Sequence, residues 1–453
     1  MEETIAAIAT ALGEGGIGIV RISGSQSLSV LNKIFRGRDL QDRMLTYGHI
    51  YDNFTGELVD EVMAVYMKAP HSYTTEDVVE IQCHGGIVSL RKILSLTLRN
   101  GARMADPGEF TKRAFLNGRL DLSQAEAVID LIQAKSDASF DVALDQLEGK
   151  LGNTIRSIRA ELLDILVNLT VNIDYPDEDI EEMTYANLSD GLKKVRARTT
   201  QLLATADTGR IFREGLRVAI IGKPNVGKSS LLNALLQQSR AIVTEIPGTT
   251  RDTIEETVTI RNVPVILTDT AGIRDTDDRI EQIGIMRSME SFQKADLVLF
   301  VIDGSRALDD SDDEIISSLE NRKAIVVLNK SDLPQKVWKE DIAKRLPQSH
   351  IIETSIKEEQ GIGKIEEEIE KMVCGGQVRQ KNSVMITSIR HASLLEQALG
   401  SIDDALSSTA GCQPLEFIEI DVNHAYELLG EIIGETASSD VIDEVFARFC
   451  LGK

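Results

Sequence analysis

The chain has 453 residues, 42% hydrophobic and 27% charged, with a formal net charge of −23. That length suits about three domains, each able to bury its own core. The charge excludes a protein that grips nucleic acid by general attraction, while leaving room for local basic patches. No apolar run reaches the roughly 18 residues a membrane span needs, so no membrane association is expected. The start, Met1-Glu2-Glu3, is acidic where a secretory signal would be basic. The cysteines Cys83, Cys374, Cys412 and Cys450 form no C-x-x-C pair, which fits a reduced, cytoplasmic setting.

In chain order, residues 1–118 carry alternating, glycine-punctuated segments such as 18–22 and 62–66, which predict an α+β domain. From about Leu122 to Arg213 the pattern is one of long helices. Ile155, Ile158, Leu162, Ile165, Leu166 and Leu169 fall at helical spacing, and the acidic stretch 174–179 reads as a loop. From Arg217 to about Cys374, strand candidates at 218–221, 263–267, 297–302 and 324–328 alternate with helix candidates at 229–236, 283–292, 313–319 and 362–372. That alternation predicts a doubly wound, mainly parallel sheet with ligands at the carboxyl ends of its strands. Helices resume around 392–406, 425–433 and 441–449. The expected organisation is an α+β domain over 1–118, an all-α domain over 119–213 plus 380–453, and an inserted α/β domain over 214–379.

Two basic stretches stand out. One holds Lys193, Lys194, Arg196, Arg198, Arg210, Arg213 and Arg217 against Asp207 and Glu214; the other runs from Arg91 to Arg119. Solvated helix faces account for such stretches, and an RNA-facing patch is the alternative.

Gly222-Lys223-Pro224-Asn225-Val226-Gly227-Lys228-Ser229 fits the phosphate-loop pattern. Gly248-Thr249-Thr250-Arg251-Asp252, Asp269-Thr270-Ala271-Gly272 and Asn329-Lys330-Ser331-Asp332 follow in order. Together they predict GTP binding and hydrolysis. Backbone N–H groups of the loop turn toward the β-phosphate, and Lys228 adds charge on the β and γ oxygens. Asn225, Val226, Gly227, Lys228, Ser229 and Ser230 are the expected phosphate-loop contacts. Ser229 and Thr250 are the expected Mg²⁺ ligands, and Asp269 holds the ion's water shell. Thr270, Ala271 and Gly272 complete the γ-phosphate side.

Asp332 is the base reader, because its carboxylate can accept from guanine N1–H and the 2-amino group. Adenine would leave that acceptor unpaired, at a cost of about 1–3 kcal/mol. Asn329 and Lys330 hold the loop and pack on the base, and Ser355 is a weaker base-contact candidate. The residue after Gly272 is Ile273, where many regulatory GTPases place a water-orienting Gln. Glu281, Arg274, Arg251 or an added cation would have to assist. A monovalent cation held by the Asn225 carbonyl oxygen would place positive charge beside the leaving oxygens.

The whole chain resembles the tRNA modification GTPase family MnmE, also called TrmE. The resemblance rests on the GTPase motifs and three further stretches. The first is Gly15-Gly16-Ile17-Gly18-Ile19-Val20-Arg21-Ile22-Ser23-Gly24. The second runs from Tyr73 through Glu80 and His84-Gly85-Gly86 to Pro107-Gly108-Glu109-Phe110-Thr111 and Arg113–Leu122. The third is Phe449-Cys450-Leu451-Gly452-Lys453. The family implies a homodimer formed by a folate-binding-like N-terminal domain, and action with the flavin-dependent partner MnmG. It implies installation of an aminomethyl or carboxymethylaminomethyl group on carbon 5 of tRNA wobble uridine. The one-carbon donor would be 5-formyltetrahydrofolate or another tetrahydrofolate derivative.

The resemblance also implies potassium-activated hydrolysis, with K⁺ ligands at Asn225, Thr244, Ile246 and Thr249. Lys228, Thr250, Arg251 and Glu281 are the expected catalytic set, of which the resemblance supplies Glu281 as the family glutamate that orients water. Arg21, Glu80, Arg119 and Lys453 fall on folate positions. Arg119 departs from the Lys of some members, which keeps charge and changes geometry. Cys450 reads either as a thiolate participant or as a small residue in a packed tail. Adjacent Cys83 and His84 point to opposite faces of a strand and read as no metal site. The alternative function is a ribosome-assembly GTPase switch binding rRNA. Such relatives usually carry an RNA-binding or second GTPase domain, and this chain shows neither pattern.

Overall fold

The structure is a computed structural model and describes residues 3–174, 184–238, 255–269, 292–375, 384–450 and 452. The chain divides into two compact units. One comprises Met1–Ile129, Gln146–Leu192 and Gly400–Lys453, the other Asp130–Asp145 and Lys193–Leu399.

The first unit is built on a seven-stranded sheet. Its strands are β1 (Ile5–Ile8), β2 (Gly18–Ser23), β3 (Phe35–Gly37), β4 (Thr46–Tyr51), β5 (Leu58–Met67), β6 (Val78–Cys83) and β7 (Arg103–Met104). Their order is β3-β4-β5-β6-β2-β1-β7, antiparallel except for the β1–β7 pair. The alternation in β2 and β6 buries Val20, Ile22, Val79 and Ile81 on one face. Helices α1 (Ser27–Ile34) and α2 (Ile87–Arg99) cover that face with Val30, Leu31, Leu90 and Ile93. The opposite face presents Arg21 and Glu80, partly covered by α3 (Glu109–Leu116) through Phe110.

Five helices follow in the chain: α4 (Leu122–Gln133), α5 (Asp137–Leu147), α6 (Lys150–Asp174), α7 (Tyr185–Leu203) and α8 (Ala206–Glu214). In the first unit α6 buries Ile155, Ile158, Leu162, Ile165 and Leu169, the helical stripe its sequence predicts. It packs on helix Leu415–Ile433, whose stripe is Ile418, Val422, Ala425, Leu429 and Ile432. The two run antiparallel, since Arg159 meets Tyr426 and Glu435 while Thr170 meets Glu419. Of the acidic loop expected at 174–179, residues beyond Asp174 lie outside the described residues.

The second unit contains a six-stranded sheet, in which β8 (Leu216–Ile221) leads into α9 (Lys228–Gln238). Its other strands are β9 (Glu255–Ile260), β10 (Val263–Asp269), β11 (Leu297–Asp303), β12 (Ala324–Asn329) and β13 (His350–Glu353). The order is β13-β12-β11-β8-β10-β9, parallel except for β9 against β10. Strands β11 and β12 are buried along their whole length, which explains their unbroken apolar runs. Later strands join on both sides of β8, so its carboxyl end is a topological switch point.

Several element bounds differ from expectation. Asp269 and Asn329 end their strands rather than following them. The helix expected at 313–319 is Asp310–Ser318, because Asp309 and Asp312 form a capping box ahead of it. The helix expected at 441–449 is Ser439–Ala447, started by a Ser438 side-chain cap. The helix expected at 283–292 lies outside the described residues except for its last residue. Strands β9 and β13 and the short helix Lys339–Arg345 were not expected at all.

Candidate functional site

The phosphate loop spans the switch point between β8 and α9. Gly222 and Gly227 both take positive φ, 143° and 109°. A Cβ at Gly222 would collide with the Val301 carbonyl, and one at Gly227 with Asn329 Nδ2. Glycine is therefore required by approach as well as by φ. Asn225 also adopts φ 64° and is exposed, and among the described residues its main-chain oxygen alone is hydrogen-bonded. Val226 is buried, while Ser229 and Ser230 lie exposed in the first turn of α9. Lys228 Nζ donates to the carbonyls of Gly222 and Lys223 at 2.8 and 2.7 Å.

The Asn329–Asp332 segment, expected to read the base, is tied to this loop. Asn329, 4% exposed, donates through Nδ2 to the Val226 carbonyl at 2.8 Å, and its Oδ1 accepts from Ile356 N–H at 3.2 Å. Lys330 Nζ donates to the Asn225 carbonyl at 3.1 Å and to Asp303 Oδ2 at 2.7 Å. Ser355 Oγ donates to Asp332 Oδ1 at 2.7 Å, so both base-contact candidates meet.

Asp303 at the end of β11 was not singled out from the sequence. Burial acts to raise its carboxyl, and hydrogen bonds from Lys330 and Ser305 outweigh this and hold it below the usual carboxylate range. An acid at the carboxyl end of a parallel strand, in Ile302-Asp303-Gly304, was the available signal. Lys223 was also missed as a contact. Its ammonium pairs with Asp309 and, at 2.6 Å, with Asp312, so the loop is held from its other flank.

The remaining nucleotide-site candidates cannot be positioned. Thr244, Ile246, Thr249, Thr250, Arg251, Thr270, Ala271, Gly272, Ile273, Arg274 and Glu281 lie outside the described residues, and Asp269 is described only as the last residue of β10.

In the first unit Arg21 and Glu80 are direct cross-strand partners on β2 and β6. Arg21 Nε donates to Glu80 Oε1 at 2.8 Å. The Glu80 side chain is 18% exposed, which departs from a freely solvated strand carboxylate. Its Oε2 makes no hydrogen bond among the described residues. The Arg21 guanidinium also donates to the Gly452 carbonyl at 3.4 Å and sits 5.4 Å from the Tyr73 ring centre. Arg119 approaches the same ring to 4.8 Å and donates to the Tyr73 carbonyl at 2.8 Å. Arg21, Glu80 and Arg119 are thus gathered around Tyr73, while Lys453 lies outside the described residues.

Tyr73 was quoted for resemblance only, and the network that holds its loop was not foreseen. Tyr73 Oη and Thr111 Oγ1 are 2.9 Å apart, and Asn117 Nδ2 donates to the Thr74 carbonyl at 2.7 Å. Glu76 accepts from Ser23 Oγ at 2.6 Å and from Arg113 Nη1 at 3.0 Å. Arg113 is buried and also donates to Glu109 at 2.9 Å.

Among the cysteines, Cys450 is exposed, which removes the packed-tail reading, although Phe449 beside it is buried. Cys83 is buried, and His84 is exposed with Nδ1 2.6 Å from Asp60 Oδ1. That hydrogen bond raises the His84 pKa. In the basic stretch 193–217, Arg210 pairs with Asp296 at 2.7 Å and Arg213 with Asp130 at 2.9 Å. Lys193, Lys194, Arg196 and Arg198 also have partners. Those six cations are engaged within the protein rather than presented as a bare RNA-facing patch.

Among the described residues no helix is long and apolar enough to cross a membrane. Two family models match the chain: the GTP-binding protein TrmE N-terminus over residues 4–119, and the MnmE helical domain over residues 122–450. Relatives described as tRNA modification GTPase MnmE are similar along the whole length. The protein of Alkaliphilus metalliredigens is 50% identical, covering 100% of both chains. That of Clostridioides difficile is 49% identical with the same coverage, and that of Geobacillus kaustophilus is 49% identical over 100% of this chain and 99% of its own. With a phosphate loop at the switch point, the Asn329–Asp332 segment bonded to it, and this likeness from end to end, the chain belongs to the MnmE family of tRNA modification GTPases.

Proposed function

We propose that this chain hydrolyses GTP to drive modification of carbon 5 of tRNA wobble uridine. It acts as a homodimer with the flavin-dependent partner MnmG, adding an aminomethyl or carboxymethylaminomethyl group. The carrying observation is that a second polar cluster, Arg21–Glu80 with Arg119 and Tyr73, stands in the same chain as the GTP site. A ribosome-assembly switch would have no use for it.

In this reading 1–118 is the folate-binding and dimerisation domain, 119–213 with 380–453 the helical domain, and 214–379 the GTPase domain. Glu80 Oε2 suits the aminopyrimidinone edge of a pterin, with Oε1 already fixed by Arg21. Arg21, Arg119 and Lys453 balance the anionic tail of a tetrahydrofolate derivative. That cofactor supplies the one-carbon unit. The exposed Asn225 side chain, free of hydrogen bonds among the described residues, suits a K⁺ ligand with Thr244, Ile246 and Thr249. Ser229 and Thr250 would hold Mg²⁺ beside Lys228, and Glu281 would orient water, with Arg251 nearby.

The test is mass spectrometry of tRNA from a strain lacking this protein. Wobble uridines without the carbon 5 group are expected; unchanged wobble uridines would overturn the reading.

A further inference from the structure

The first unit carries a surface that neither the GTP site nor the Arg21–Glu80 cluster uses. Acidic residues number 72 of 453, yet none occurs in residues 25–38 or 81–105. These two segments contain α1, β3 and α2. They hold Lys33, Arg36 and Arg38 on one side, and Arg91, Lys92 and Arg99 on the other, all exposed.

Helices α1 and α2 lie side by side over the same face of the sheet. Their apolar stripes point into that core, so their cations point away from it. Lys33 Nζ donates to the Asn100 carbonyl at 2.8 Å, which joins the two basic sets at the end of α2. Lys33, Arg36, Arg38, Arg91 and Lys92 form no ion pair among the described residues. Arg99 is 3.6 Å from Asp52 and stacks on the exposed Phe54 ring at 4.0 Å. Asp39 follows β3 in sequence, Asp52 approaches Arg99, and Asp60 is tied to Ser89 at the start of α2 and to His84.

In the 193–217 stretch, by contrast, Arg210 and Arg213 are ion-paired and Lys193, Lys194, Arg196 and Arg198 have partners. Bare cations on an otherwise strongly acidic protein repel each other and stabilise nothing internally. They match a polyanion, and the spread from Lys92 to Arg99, about 10 Å along the helix, suits successive backbone charges better than one small anion.

We propose that the α1–β3–α2 surface docks the phosphate backbone of RNA. The inference rests on the tRNA reading above and gives it a place on the protein. Arg36, Arg38, Arg91 and Lys92 contact phosphates and fix the orientation of the RNA without reading its bases.

The test uses the full chain with Arg36→Ala, Arg38→Ala, Arg91→Ala and Lys92→Ala combined. Binding of transcribed tRNA is followed by fluorescence across an NaCl titration at fixed K⁺ and Mg²⁺. Log affinity against log salt should become shallower by about 3–4, close to one per lost phosphate contact. Affinity at physiological salt should fall about tenfold or more, with GTP turnover unchanged as the check on folding. A control with Lys323→Ala and Lys364→Ala, two exposed cations of the second unit, should bind as the parent does. Equal affinity and slope for parent and fourfold variant would overturn the surface, and leave it to an acidic protein. An equal loss in the control would also overturn it. A parent chain that binds no tRNA would instead overturn the functional reading itself.

Discussion

Asn329 reaches 103 residues back along the chain to donate to the Val226 carbonyl at 2.8 Å, while its Oδ1 accepts from Ile356 N–H at 3.2 Å. One buried amide thus joins the phosphate loop, the base-reading strand end and the loop after β13. Asn329→Ala leaves a buried carbonyl and a buried N–H unpaired, at about 1–3 kcal/mol each before relaxation. Urea denaturation should show a loss of at least the lower figure. Titration with a fluorescent GTP analogue should show weakened affinity in the part that still folds.

Asp332 accepts from Ser355 Oγ, so the carboxylate proposed to read guanine is already held in one orientation. Asp332→Asn replaces an acceptor with a donor facing the guanine 2-amino group. GTP affinity should fall about 5- to 150-fold, the equivalent of 1–3 kcal/mol. Competition by ATP should gain relative to GTP. Undiminished preference for GTP in a competition assay would remove Asp332 from its role.

The lowered Asp303 carboxyl has a definite acid signature. A carboxyl depressed by folding stabilises the fold above its unfolded pKa, about 3.9, and that contribution is lost as pH falls through the lower folded value. Asp303→Asn should be less stable than the parent at neutral pH. Its stability should fall less steeply between about pH 5 and pH 2. Urea midpoints at stepped pH measure both; parallel curves for the two proteins would contradict the assignment.

Arg113 is buried and bonded to Glu76 and Glu109, beneath the loop that carries Tyr73. Arg113→Met strips the cation from two largely buried carboxylates, which costs about 3–5 kcal/mol when one partner of a buried pair is removed. Thermal unfolding should shift accordingly. Joint replacement of Arg113, Glu76 and Glu109 by apolar residues should recover part of the loss, which a simple packing defect would not.

The potassium reading makes a kinetic prediction. GTP turnover by the parent chain should be faster in K⁺ than in Na⁺ at equal ionic strength. Asn225→Ala should abolish that difference while the GTP site still binds nucleotide. Equal rates in both cations for the parent would exclude a monovalent-cation role.

What the sequence made legible was local. The phosphate loop is a contiguous string whose glycines carry the backbone geometry themselves, and Val218, Val263 and Leu299 announce buried strands by apolar runs. The ties between segments were not legible. Asp303 and Lys330 are 27 residues apart, Lys223 and Asp312 are 89 apart, and nothing in either string marks the other. Strand β9 was hidden because at the sheet's edge it buries just Val258 and Ile260, with Glu256 on their face and Thr257 and Thr259 on the other, so it shows no apolar run. The segment 339–345 is too short for a periodic stripe, burying Ile342. Tyr73 was invisible as a site residue because its importance comes from two arginines, Arg21 and Arg119, brought to one ring by different elements.

The hydrogen bond from Arg21 to the Gly452 carbonyl joins positions 431 residues apart. At about 5–20 residues per second, a ribosome makes Gly452 roughly 20–90 s after Arg21. The sheet bearing Arg21 and Glu80 can form early, but the Gly452 carbonyl that Arg21 bonds arrives long after it. A chain stopped before Gly452 would lack the carbonyl that Arg21 bonds, while its Arg21–Glu80 pair could still form.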